Sequence, residues 1–370
     1  MQFNSVVISQ LLLTLAGVSM GASTAFNQHH QHQRATLEKR ATTCKFPTDK
    51  NLVAVTPNSK NGGWALSPDQ ECTAGSYCPY ACPPGQLMAQ WDPKATSYSY
   101  PESERGGIYC NDNGEIEVPF SNKDWCYSGK GTLQASNKAG SNVAFCQTVL
   151  PGNEAMLIPT NVDGGSTEDL AIPGTDYWAS TAAHYYINPP GVSTEDGCVW
   201  GSTANPYGNW APYVAGGNVD NSGNSFVKIG WNPIYLEDAT PFRNTKPDFG
   251  VRITCSDGQC NGLPCEIDPS KNGINEVSSS QSSNGAGGAN SCVVTGSNGA
   301  KVTIEVFTAG GVSKREEVPI QNLLSNEDSS STNHTNSTPV VDPINSGVSL
   351  SVTSPMVVMT LVALTTFLFC

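Results

Sequence analysis

Acidic residues placed beside flat aromatic rings are the first groups in this chain that could do chemistry. Asp92 follows Trp91, and Asp176 precedes Tyr177 and Trp178. A flat ring matches the apolar C–H face of a sugar, and a carboxyl beside it is suitably placed to act on the neighbouring glycosidic bond. Breaking such a bond takes two carboxyl groups, one donating a proton to the leaving oxygen and one acting as nucleophile or as base toward water. The plain structural alternative is that these acids are solvated or cap turns, as most surface carboxylates do. With 31 Asp and Glu between Ala41 and Asn345, spacing alone does not select a pair.

The rings are concentrated. All 7 Trp and all 12 Tyr fall between Trp64 and Tyr235, in clusters such as Tyr98-Ser99-Tyr100, Tyr185-Tyr186 and Asn205-Pro206-Tyr207-Gly208-Asn209-Trp210-Ala211-Pro212-Tyr213. Pro and Gly place the last cluster on a loop. Tyr207, Trp210 and Tyr213 therefore join Trp91 and Trp178 as candidate sugar-stacking residues, although roughly half of such rings should simply fill a β core.

The cysteines carry the most specific spacing. Cys72-x5-Cys78-x3-Cys82, preceded by Gly62-Gly63-Trp64-Ala65-Leu66-Ser67-Pro68-Asp69-Gln70-Glu71 and followed by Trp91, resembles the signature of the fungal SUN family of secreted cell-wall proteins, also grouped as glycoside hydrolase family 132. In that family a fourth cysteine follows about two dozen residues on; here 27 residues separate Cys82 from Cys110, a longer loop. The resemblance runs from about Cys44 to Phe307. It implies a secreted glycosidase, of β-glucosidase or β-1,3-glucanase type, acting on β-1,3-glucan in wall morphogenesis and septation. It supplies no assigned catalytic pair. Asp69, in the family-like Ser67-Pro68-Asp69-Gln70 segment, joins Asp92 and Asp176 as a catalytic candidate, and Trp64 joins the substrate-binding rings. A glucan-binding structural wall protein or adhesin without turnover is the alternative.

The ends of the chain define its compartment. Residues 1–25 carry an apolar run around Leu11-Leu12-Leu13 and then small residues, the pattern of a signal peptide. Residues 26–40 end in the dibasic Lys39-Arg40 and read as a pro-segment, with an uncut arm as the alternative. At the other end Met356 to Cys370 is uncharged and too short for a bilayer span of about 20 residues. With the spacer from Val348 and the small triplet Asn345-Ser346-Gly347 it satisfies the grammar of a glycolipid-anchor signal, residues 348–370 being removed. Residues 319–347 read as a Ser/Thr/Asn-rich stalk glycosylated at Asn333 and Asn336. The expected product is held at the cell surface and wall through a lipid anchor alone.

Removal of the tail leaves twelve cysteines, an even number suited to disulfides: Cys44, Cys72, Cys78, Cys82, Cys110, Cys126, Cys146, Cys198, Cys255, Cys260, Cys265 and Cys292. There is no Cys-x2-Cys pair, and His184 is the single histidine of the body, so no metal site, redox centre or other cofactor is expected. Between Ala41 and Asn345, 31 acidic residues face 16 Lys and Arg. Such a balance excludes nucleic acid as a partner, since phosphate neutralisation needs a basic face. An uncharged polysaccharide suits it, and a monomer is expected.

The elements that must hold these groups are strands. Glu115-Ile116-Glu117-Val118 follows Asp112-Asn113-Gly114, a hairpin signal, and 226–231 and 249–254 alternate apolar and polar residues. The fold class is all-β: a disulfide-rich antiparallel β-sandwich spanning residues 41–318 with long loops, to which a thaumatin-like arrangement would fit. Residues 278–291 have linker composition and are expected as a flexible insertion within one domain. Beyond them Ser297-Asn298-Gly299 is expected to turn a small hairpin, and Cys292 must tie back to the main body.

Overall fold

The computed structural model describes residues 42–94, 106–149 and 157–311. The expected signal peptide, pro-segment, stalk with Asn333 and Asn336, anchor signal with Asn345, Ser346 and Gly347, and the Tyr98 and Tyr100 rings lie outside the described residues. Among the described residues no helix is long and apolar enough to cross a membrane.

Before residue 130 proline, glycine and cysteine interrupt every apolar run, and the strands are short: β1 (Tyr77–Cys78), β2 (Gln86–Met88), β3 (Ile108–Cys110), β4 (Ile116–Glu117) and β5 (Cys126–Ser128). β1, β3 and β4 form one sheet, and β2 pairs with β5. Disulfides Cys44–Cys110, Cys72–Cys78 and Cys82–Cys126 bind this region around a small core of Trp64, Tyr80, Met88 and Ile108. Crosslinks substitute here for apolar bulk that the segment lacks. The β3–β4 hairpin turns at Asp112-Asn113-Gly114, with Gly114 at φ 78° and the Asn111 side chain accepting the N–H groups of Asn113 and Glu115 at 3.0 Å each.

From Leu133 onward apolar residues recur at alternate positions, and longer strands form. They are β6 (Leu133–Asn137), β7 (Val143–Thr148), β8 (Ile158–Val162), β9 (Thr167–Asp169), β10 (Ala183–Ile187), β11 (Tyr213–Val219), β12 (Ser225–Trp231), β13 (Phe249–Asn261), β14 (Cys265–Ile267), β15 (Ser278–Ser279), β16 (Ser282–Asn284) and β17 (Asn290–Thr308). Their order is β15-β14-β13-β17-β12-β11-β10-β7-β8, with β6 and β16 also on β17 and β9 on β6. The first half of β17 lies beside β12, and its second half, Val302 to Val306, lies beside β6. One strand thus passes from one leaf of the sandwich into the other, a known way for sheets to turn a corner. The leaves share an apolar core that includes Leu133, Phe145, Tyr185, Ile229, Val251 and Ile304. The fold is all-β as expected, and its β6–β17 ladder is parallel while the other ladders between these strands are antiparallel.

Two expectations change. Ser297-Asn298-Gly299 does turn the chain, with Asn298 and Gly299 at φ 54° and 74° and a Cβ on Gly296 falling 2.8 Å from Val302 Cγ2, but the arms on either side lie beside β12 and β6 instead of forming a separate hairpin. β13 accompanies both arms and folds at the same point, where its register with β17 shifts and the Cys255–Cys260 disulfide brings its two Cα atoms to 6.3 Å. Residues 278–291 are not an open linker. β15 pairs with β14, β16 pairs with β17, and the Cys265–Cys292 disulfide closes the segment onto the body. Serine and asparagine can still form this edge because backbone pairing holds it while the β16 side chains face water.

Ile304 is fully buried on the strand common to both leaves. Ile304→Ala will lower the unfolding free energy by roughly 2–5 kcal/mol in urea denaturation. Asn298→Gly, which keeps the positive φ of an exposed turn, will change it by less than about 0.5 kcal/mol.

Candidate functional site

Past β2 the chain enters Ala89-Gln90-Trp91-Asp92, and one buried amide fixes the setting of the Trp91 ring. The Gln90 side chain, 0% exposed, donates to the carbonyls of Phe120, Lys123 and Asp124 at 3.1, 2.9 and 3.0 Å and accepts the Phe120 N–H at 3.0 Å. This clamps the 120–124 loop against Trp91. Lys123 then lies 3.7 Å above the Trp91 ring centroid and donates to the Trp91 carbonyl at 3.0 Å. Burial lowers the pKa of the Lys123 ammonium, and the Asp92 charge opposes that shift.

The second half of the cluster comes from the loop before β10. Tyr177 is buried, its hydroxyl donates to the Met88 carbonyl at 3.4 Å, and its ring meets Trp91 at 5.6 Å and Tyr127 of β5 at 6.3 Å. The turn that delivers it is strained: Ala179 and Ser180 hold φ 47° and 55° without being glycine, a cost of about 1–3 kcal/mol each that tends to gather at functional sites. Hydrogen bonds from Ser180 Oγ to the Thr175 carbonyl at 2.9 Å and from Thr181 Oγ1 to the Trp178 carbonyl at 3.0 Å keep it closed.

Charge sits at the rim. Asp176 pairs with Lys130 at 3.0 Å, both side chains being well exposed. The hydrogen bond from Lys130 holds the Asp176 carboxyl below its ordinary range, so it is ionised at any neutral or mildly acidic pH. Burial, followed by the Asp176 charge, pushes the Tyr127 phenol up, so it stays protonated as a donor. Below Tyr177 a depression at the junction of the N-terminal sheets and the sandwich is lined by Tyr80, Gln86, Met88, Gln147 and Ile158 among others, none of them charged. The indole N–H groups of Trp91 and Trp178 are buried without an acceptor among the described residues. The accessible part of this region is the partly buried rings of Trp91 and Tyr127, with the Asp176 carboxylate at its edge.

The structure therefore packs Trp91 against Tyr177, with Asp92 and Asp176 beside them in the chain. The Asp92 carboxylate accepts the Lys94 N–H at 2.8 Å. Trp178 is 3% exposed and belongs to the core rather than to a sugar-stacking surface, and the other candidates lie apart. Asp69 is exposed on the Ser67–Gln70 turn, and no contact among the described residues ties it to the cluster. Trp64 is 1% exposed, edge-on to Phe46, with its indole donating to the Cys44 carbonyl at 3.1 Å: a core residue, because the tight disulfide region has few other large groups to bury. Tyr213 is likewise core, 5.1 Å from both Trp231 and Phe249 with its hydroxyl donating to the Phe249 carbonyl, since it is the first residue of β11 and points inward. Tyr207 and Trp210 are half-buried on their loop, away from this cluster's core. His184 stands outward on β10 beside Tyr186. The sulfurs of Cys44, Cys72 and Cys110 lie close together, but each is in a disulfide and offers no thiolate to a metal. Gln90, Lys123, Tyr127 and Lys130 gave no sequence signal; their roles depend on contacts between distant segments.

Comparison with known proteins adds an independent line. Residues 39–294 match the protein family described as Beta-glucosidase (SUN family). The chain is 63% identical over 299 residues to the Saccharomyces cerevisiae protein named "Uncharacterized protein YMR244W", a match covering 79% of this chain and 83% of that one. It is 58% identical over 259 residues to "Probable secreted beta-glucosidase adg3" of Schizosaccharomyces pombe, covering 70% of this chain and only 23% of that relative. Among solved structures, the thaumatin-like xylanase inhibitor TLXI is matched over 48% of this chain and 97% of its own at 13% identity and a TM-score of 0.26, too distant to carry an argument.

Since its folded pKa is lowered, Asp176 contributes its small stabilisation above the ordinary carboxylate value of about 4 and loses it as pH falls through the depressed value. Lys130→Met will raise the Asp176 carboxyl in an NMR titration while changing stability by less than about 1 kcal/mol, the scale of an exposed pair.

Proposed function

The chain belongs to the SUN family, and from that premise we propose that it is a secreted, glycolipid-anchored cell-wall protein that hydrolyses or remodels β-1,3-glucan in wall morphogenesis and septation. The observation that supports this reading is the contact of Trp91 with Tyr177, whose neighbours in the chain are Asp92 and Asp176. The glucan chain lies against the exposed parts of Trp91 and Tyr127; ionised Asp176 serves as nucleophile or base, and Asp92 delivers the proton to the leaving oxygen. Tyr127 donates to a sugar hydroxyl beside Asp176. Relatives named as probable secreted β-glucosidases support both the secreted location and the sugar chemistry. The acidic balance of the body suits a neutral polymer, with no role for nucleic acid, and the protein acts as a monomer without a cofactor.

One observation favours a second reading, glucan binding without turnover: Asp176 is already neutralised by Lys130, and no carboxylate lines the depression itself. Incubation of the purified mature protein with laminarin oligosaccharides separates the two. New reducing ends are expected, with Asp92→Asn and Asp176→Asn each lowering the rate by about 10²–10⁴ and the acid limb of the Asp176-dependent rate lying below about pH 4. Binding without any product would establish the non-catalytic reading. A phospholipase specific for the glycolipid is expected to release the protein from membranes, and retention after that treatment would point to a hydrophobic tail anchor.

A further inference from the structure

Trp200 is the most exposed large apolar side chain among the described residues, at 51%. Scattered surface apolar groups need no explanation, but this one is not alone. Tyr207 and Trp210 are half-buried on the same loop, and the backbone at Gly201 passes so close to Trp210 that an added Cβ would lie 3.0 Å from its Cδ1. Three large rings therefore share one loop. They belong to a surface distinct from Trp91 and Tyr177, since this loop packs on the small cluster of Ala144, Cys146, Leu157 and Cys198.

The loop is held as a site is held. The Cys146–Cys198 disulfide anchors it two residues before Trp200. Fully buried Asn188 accepts the Gly208 N–H at 2.8 Å and donates to the Ala144 carbonyl at 3.0 Å. Asn209, also buried, accepts the Gly201 N–H at 2.8 Å, and Asn232 donates to the carbonyls of Asn209 and Ala211 at 2.8 and 2.7 Å. At Gly208, φ is 58° and a Cβ would meet the Val199 carbonyl at 2.3 Å, so only glycine closes the loop. Rings fixed in advance lose little freedom when a ligand covers them.

Charge selects the ligand. No Asp, Glu, Lys, Arg or His occurs from residue 197 to residue 219, in a chain whose formal net charge is -13. The segment itself offers an ionic partner no charge, whereas a polymer with apolar C–H faces and neutral hydroxyls matches its rings and its Ser202, Thr203 and Asn205. We propose that Trp200, with Tyr207 and Trp210, is a second, non-catalytic platform that docks a neutral β-linked glucan chain and holds the protein on insoluble polymer. The inference takes its ligand class from the function proposed above.

The test uses the full mature protein, insoluble β-1,3-glucan and a short soluble laminarin oligosaccharide. Trp200→Ala is expected to weaken retention on the insoluble polymer about tenfold, and Trp200→Phe to restore most of it. Reducing-end release from the short oligosaccharide is expected to be unchanged in both variants. Retention of Trp200→Ala equal to that of the unaltered protein overturns the platform whatever the turnover. Weakened retention in a protein that releases no reducing ends upholds the platform and overturns only the enzyme reading.

Discussion

The sandwich depends on one strand being hydrogen-bonded into both of its leaves. β17 pairs with β12 through its first half and with β6 through its second, while β13 follows it on the other side. Val302, Ile304 and Val306 are each 0% exposed, so the strand contributes apolar surface at the point where the leaves join. The turn at Asn298-Gly299 carries the chain from one leaf to the other, and Cys255–Cys260 secures the matching fold in β13. A strand used in this way cannot slip register without turning its buried face to water in two places at once.

Function is arranged around that frame by polar groups rather than by strands. Gln90 is the clearest case: its amide binds three carbonyls and one N–H of the 120–124 loop and so sets Lys123 over Trp91. Asn188, Asn209 and Asn232 do the same for the loop carrying Trp200 and Trp210. Buried amides of this kind are stable only when their bonds are made, which gives each loop one favoured geometry. The six disulfides act at the same places, holding segments whose own apolar content is small.

Local signals were legible and long-range ones were not. Asn113-Gly114 announced a hairpin because the positive φ it favours is a property of those residues alone. Asn298-Gly299 offers the same dipeptide and also turns the chain, but which strands the two arms then join, β12 and β6, depends on segments distant in the sequence. Acids beside rings drew attention to Asp92 and Asp176, yet nothing in the sequence says that Trp91 meets Tyr177 or that Lys130 meets Asp176. Trp64 and Tyr213 carry Gly or Pro neighbours just as Trp210 does, and their burial is decided by neighbours distant in the chain. Trp200 drew no attention at all, since a ring's exposure is set by the loops around it.

Catalysis or binding at this cluster requires sugar to reach the partly exposed rings of Trp91 and Tyr127. Indole N–H resonances read this directly, because Trp64 and Trp231 already donate to the Cys44 and Glu276 carbonyls whereas Trp91 and Trp178 have no acceptor among the described residues. In ¹⁵N-correlated spectra, with each indole assigned by a Trp→Phe variant, addition of a β-1,3-linked gluco-oligosaccharide is predicted to shift the Trp91 resonance and leave those of Trp64 and Trp231 in place. A Trp91 indole unmoved at saturating oligosaccharide would contradict a sugar site at these rings.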